Sequence, residues 1–267
     1  MLMTNGLLSE RATEIVPGDV PGGPSTSQTV MIASLSRLID LLPASAPAHA
    51  YRSAIMDENV LGKKTAGARE WAFRQLRRFY GLDPESLLFR AIRDLWPDDR
   101  AGQPLLAILC AMARDPVLRA SAPMVLGSEI GAAIGPDDFE VAIEEAFPGT
   151  YGANTRRTTA QKLASSWNQS GHLKAESPTR KVRTRVVSSP TSIAYALLLG
   201  HLQGIRGEAL FETLWAQVLD RPKSRLLDLA SVASQYGMLE FRHAGGVVEI
   251  GFNELLRPFN GKQGVLL

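Results

Sequence analysis

The chain has 267 residues, 45% of them hydrophobic, with 29 Lys and Arg against 27 Asp and Glu and a formal net charge of +2. That apolar content excludes a disordered chain, the length supplies one large or two modest cores, and the charge balance excludes a polycation. One cysteine, Cys110, excludes an intrachain disulfide, and no apolar run reaches the roughly 18 residues that span a bilayer, so a cytoplasmic protein with no membrane partner is expected.

Residues 1–27 carry Pro17, Pro21 and Pro24 among Gly and Ser and read as a flexible leader. From residue 28, Ile32, Leu35, Leu38, Ile39 and Leu42 recur at helical spacing, and PASAPA then interrupts the chain. A second helix is expected over 51–59. Thr65 is placed to cap a helix AGAREWAFRQLRRFY that Gly81 ends. Its apolar stripe is Ala68, Ala72, Leu76, Phe79 and Tyr80. Arg74, Arg77 and Arg78 share the opposite side, with Lys63, Lys64 and Arg69 near them, forming a secondary basic face. Such a face is either solvated or a second contact surface for an anion. PESLLFRAIRDLW and QPLLAILCAMARDPVLRAS continue the helical periodicity, so 28–116 reads as a helical bundle.

The pattern changes at 117–188. Pro136-Asp137-Asp138 opens a helix, its carboxylates suited to the positive end, and PGTYGAN is a turn. Thr155 or Thr158 then begins a helix that Gly171 ends. The segments HLK and RKVRTRVVS follow as strands around AESPT. In the second strand Val182, Thr184 and Val186 alternate with Lys181, Arg183 and Arg185, which predicts one basic face. Helix, turn, helix, strand, turn, strand is the order of a winged helix. The order returns at 190–257, with helices expected over 191–203, 208–219 and 224–236 and a hairpin turning at Gly245-Gly246. The expected fold is thus mainly α: a helical N-terminal bundle followed by two winged-helix-like units with small β-hairpins.

Charge is unevenly placed. Residues 101–150 hold seven acidic and two basic side chains; residues 151–187 hold eight basic and one acidic. On the helix near 158–170, Ala160, Leu163, Ala164 and Trp167 form the buried stripe. Gln161, Lys162, Ser165, Ser166 and Gln169 are then expected outward. Amides can pair with adenine edges and Lys with guanine or phosphate, so this is a candidate recognition helix. Arg156 and Arg157 sit near its start. Lys174, Arg180, Lys181, Arg183 and Arg185 would lie on the wing over a phosphate run. The expectation is double-stranded DNA binding with little base specificity. The bland alternative is a solvated surface that balances Asp137, Asp138, Glu140, Glu144 and Glu145, or a dock for an acidic partner.

Chemical motifs point elsewhere than catalysis. The four histidines have no Cys or carboxylate at ligand spacing. DENVLGKKT lacks the first Gly of a phosphate-binding loop and has Lys64 where Ser or Thr must bind Mg²⁺. Neither enzyme activity nor a cofactor, metal or small-molecule substrate is expected.

The stretch NVLGKKTAGAREWAFRQLRRFYGLDPESLLFRAIRDLW, followed by PLLAILCAMARDPVLRAS and later by TRRTTAQKLASSWNQSGHL, resembles the BrxA family encoded in BREX phage-defence operons. The resemblance covers about residues 30–220. It implies a non-enzymatic DNA-binding accessory protein whose helical part compares with the transcription factor NusB. It further implies partners among the other proteins of the defence system. An adapter subunit, or a NusB-like RNA binder, is the alternative function.

Overall fold

A computed structural model describes residues 14–177 and 180–258. The N-terminal part comprises α1 (Ile32–Leu41), α2 (Ala48–Met56), α3 (Ala66–Tyr80), α4 (Leu87–Leu95), α5 (Gln103–Arg114), α6 (Pro116–Ala120) and α7 (Ala122–Gly127). α3 is built as its sequence predicts: Thr65 Oγ1 accepts from Ala68 N at 3.1 Å, and Gly81, at φ 87°, ends the helix. The periodic run 103–121 is divided at Asp115. Pro116 offers no N–H, disfavours helical geometry in the residue before it, and starts α6 instead. Asp115 turns this break into a cap, accepting from Leu118 N at 3.0 Å. α4 starts later than Pro84 because its capping groups sit at its own end. The Glu14 carboxylate accepts from Leu87 N at 2.7 Å and Leu88 N at 3.2 Å.

Glu14 belongs to the stretch expected as a flexible leader. Residues 1–13 lie outside the described residues; within 14–27, residues 17–21 are exposed, but both ends of the stretch are anchored to the fold, which differs from a leader that is flexible throughout. Ile15 is buried, Val16 N donates to Ala113 O at 2.9 Å, and Ser25 N donates to the buried Asp115 carboxylate at 2.6 Å. A Cβ at Gly23 would lie far inside van der Waals contact of the Asp115 carboxylate oxygen, and φ there is 151°, so only glycine fits.

Next come β1 (Ala133–Ile134), α8 (Pro136–Ala146), α9 (Ala153–Gln169), β2 (Leu173–Ala175) and β3 (Lys181–Arg183). The three strands form one antiparallel sheet in the order β1-β3-β2. Helix α7, β1, two helices, then the β2–β3 hairpin is winged-helix topology, with β1 closing the sheet. The sequence reading has no counterpart of β1, because two residues carry no detectable alternation.

The remainder is α10 (Pro190–Leu202), a 3₁₀ turn (Gly207–Glu212), α11 (Leu214–Gln217), α12 (Lys223–Gln235), β4 (Glu240–Ala244), β5 (Val247–Gly251) and α13 (Asn253–Leu256). The helix expected over 208–219 is instead a 3₁₀ turn and a single helical turn. Thr213, in extended geometry, separates them and caps the second through Ala216 N at 3.3 Å. Gly245 and Gly246, at φ 58° and 79°, make the two-residue hairpin turn as expected.

Two helices apolar on every side organise the core: residues 105–113 of α5 and 191–200 of α10 are all buried, and the two helices pack together. Gly200 permits the close approach of the chain beyond, since a Cβ there would lie 2.8 Å from Leu210 Cδ2. One continuous hydrophobic cluster therefore runs from the N-terminal helices through both later units.

Candidate nucleic-acid interface

α9 is the longest helix among the described residues, and Gly152, extended at its N-cap, lets it begin at Ala153. Ala160, Leu163, Ala164 and Trp167 form its buried stripe, as expected, and Trp167 Nε1 donates to Ser121 Oγ at 2.8 Å. The predicted outward set divides. Arg157 and Gln161 are exposed and Ser165 is half-exposed. Ser166 is fully buried; its Oγ donates to Lys162 O at 2.8 Å and accepts from Val30 N at 3.2 Å. Lys162 Nζ donates to Thr26 O at 3.1 Å, and Gln169 Oε1 accepts from Ile32 N at 3.1 Å. Lys162 thus holds the ordered leader, and Ser166 and Gln169 hold the segment that enters α1; together these cover one flank of the helix, and the three side chains are not on its outward face. Arg156 is also drawn away: its guanidinium lies 2.5 Å from Glu144 and 3.7 Å from Glu140 on α8. Gly149 N, which donates to the same carboxylate, and then the Arg156 guanidinium hold Glu144 below its ordinary pKa.

The stripe that does face outward is Asn154, Arg157, Thr158, Gln161, Ser165 and Asn168, at helical spacing of three and four and all exposed or half-exposed. Asn154, Thr158 and Asn168 are absent from the sequence-based set. The same spacing from Arg157 and Gln161 would have reached them.

The hairpin also departs from its predicted phase. β3 pairs Arg183 with Leu173 of β2 and Lys181 with Ile134 of β1. Cross-strand partners share a face, so Arg183 lies on the core side with Ile134 and Leu173, and Val182 on the other with Lys174. Arg183 is only 1% exposed. It pairs with Asp220 at 3.1 Å and donates to Val125 O at 2.9 Å, His172 O at 3.3 Å and Thr184 O. It belongs to the core and cannot contact a ligand. His172 beside it is buried and edge-on to Trp167. Its Nε2–H donates to Val218 O at 2.8 Å, and burial pushes its pKa down to about 3.

Lys174, Arg180 and Arg185 are exposed and Lys181 is half-exposed. Arg180 pairs with Glu176 at 3.0 Å on the hairpin itself. Lys174, Lys181, Arg185 and Arg157 make no ion pair among the described residues. Of the acidic residues expected to neutralise this segment, only Glu140 and Glu144 do so, and only for Arg156.

On the secondary basic face, Arg74, Arg77 and Arg78 are exposed on α3, with Lys64 exposed and Lys63 and Arg69 half-buried near the other end of the helix. Among the described residues no cluster of three His, Cys, Asp or Glu could hold a metal ion, and no helix is long and apolar enough to cross a membrane. The arrangement offers four cations beside a helix stripe of amides and hydroxyls, which suits a polyanion with hydrogen-bonding edges. No protein-family model matches the chain, and no curated protein matches it.

Proposed function

We propose that the protein binds double-stranded DNA through the outward stripe of α9 and the β2–β3 wing, and that it acts without catalysis. The observation that carries this reading is the set of cations without carboxylate partners among the described residues, Arg157, Lys174, Lys181 and Arg185, on a winged-helix unit whose recognition-helix position displays Asn154, Gln161 and Asn168. Arg and Lys supply the phosphate contacts that dominate affinity, and the amides are left to touch base edges. The resemblance to BrxA supports an accessory role in a phage-defence system, in the cytoplasm, together with that system's other proteins.

The test is a titration of a fluorescent duplex of ~25 base pairs, at two salt concentrations, with the wild type and an R157A/K181A/R185A variant. Arg183 stays intact, because its removal would disturb the fold. Binding by the wild type should weaken steeply with salt. In the variant the log–log salt slope should fall by about 3, one unit for each lost phosphate contact. A folded wild type that binds no duplex at low salt would refute the reading. The surface would then be a dock for an acidic protein.

A further inference from the structure

α3 carries Arg74, Arg77 and Arg78 on its outward side. All three are exposed, and none has an ion-pair partner among the described residues. The sequence alone leaves open whether this face adjoins the α9 surface or lies on an unrelated side. The ordered leader decides the matter. Its 3₁₀ turn, Pro24–Thr26, packs against both α9 and α3. Toward α9, Gly22 N donates to Tyr151 Oη at 2.6 Å and Lys162 Nζ donates to Thr26 O at 3.1 Å. Toward α3, the backbone of residues 20–24 lines a groove of about 500 Å³ together with Arg78 and Arg114.

The charge in that groove is positive on balance. Glu14 also lines it; its carboxylate accepts from the backbone N–H groups that open α4 and lies 3.9 Å from Arg114, which leaves Arg78 as the groove's excess charge. Arg114 Nε donates to Arg78 O at 3.2 Å, which fixes the end of α3 against α5 and holds Arg74 and Arg78, one helical turn apart, in a common row. The link between the two basic surfaces is short. Residues 22–26 span at most about 14 Å even when fully extended, against about 34 Å for one turn of B-DNA. The turn that contacts α9 therefore also contacts α3, beside a row of cations without ion-pair partners among the described residues.

We propose that the bound duplex continues over the 22–26 turn onto Arg74, Arg77 and Arg78, so that the phosphate-binding surface has two parts joined by the ordered leader. This rests on the duplex reading above. Lys63, Lys64 and Arg69 lie toward the far end of α3 and are not part of the joined surface.

The experiment measures salt-dependent binding to a 30-base-pair duplex by the wild type, R74A/R77A/R78A and R74K/R77K/R78K, each checked by circular dichroism. Because the three side chains are exposed, the variants should keep the wild-type fold. The alanine variant should bind more weakly at every sequence tested, with a salt slope reduced by about 3. The lysine variant should retain most of the wild-type slope, since phosphate contact needs charge more than guanidinium shape. Loss of slope in both variants alike would overturn a simple phosphate role. An alanine variant with wild-type affinity and slope would overturn the second surface while leaving the α9 and wing reading intact. A wild type that binds no duplex would overturn both.

Discussion

Arg183 shows how a residue in a run of basic side chains can serve the core. The alternation in RKVRTRVVS is legible as a strand, but its phase is not. Local pattern puts the apolar Val182 inward; the fold puts Arg183 inward because Asp220 and the Val125 carbonyl, both distant in sequence, satisfy it there. Removing one member of such a buried pair leaves a charge without compensation, at a cost of about 3–5 kcal/mol. R183A should therefore unfold at much lower urea concentration, whereas K181A and R185A should stay within about 0.5 kcal/mol of the wild type. Equal stability of all three variants would remove Arg183 from the core. His172, on the same side of the sheet, makes a pH prediction. It is neutral in the fold, with a pKa near 3, while an unfolded histidine titrates near 6.5. Below that value the unfolded chain takes up a proton the folded chain refuses, so its contribution to stability is complete above about pH 6.5 and is lost as pH falls towards 3. His201, lowered to about 4, acts in the same direction. Urea midpoints at pH 7.5 and 5 should differ, with His172 contributing up to about 2 kcal/mol, and His172→Gln should flatten the dependence. An unchanged slope in that variant would assign the titration to other groups.

At the scale of elements, α9 and the leader explain each other. The buried stripe of α9 was readable from period alone, and so was the capped start of α3. The covered flank was not. Lys162, Ser166 and Gln169 are polar, and polarity reads as exposure until a second segment supplies hydrogen-bond partners. The leader and the residues 28–32 that follow it are that segment, and the leader's prolines and glycines read as flexibility although Gly22 and Ser25 are tied to Tyr151 and Asp115. Asp115 is the joint: it caps α6 and accepts the Ser25 N–H while almost wholly buried. D115A would leave both donors unsatisfied and should cost about 2–3 kcal/mol. Its local signature is faster amide exchange over residues 22–32, read by hydrogen–deuterium exchange. Exchange unchanged there would mean that the leader is held by its other contacts.

For the whole molecule, the element order suggests separable units, but the burial pattern joins them. α10 opens the second winged-helix-like unit, yet it is apolar all round and packs on α5 of the first bundle and also on α4, where Tyr195 Oη donates to Leu88 O at 3.1 Å. The sequence shows the all-apolar character of both helices; it does not show that each is the other's cover, since hydropathy names what must be buried and not against what. A helix with no polar side has no stable surface of its own. A chain ended at Ser189 would strip α10 from α5 and expose residues that are now completely buried. Such a truncation should be insoluble or molten, and the full chain should unfold in one calorimetric transition, its calorimetric and van't Hoff enthalpies agreeing. A truncated chain that kept a sharp, independent transition would show that the winged-helix unit stands alone. Shared burial also bears on the proposed binding: the second unit, which offers no comparable row of free cations on its hairpin, would support the proposed surface from behind by holding α5 in place. Substitution of Arg242 on β4 should accordingly leave duplex affinity unchanged, whereas a cavity at the α5–α10 contact, such as L198A, should lower stability by about 2–5 kcal/mol and weaken binding only when the protein begins to unfold.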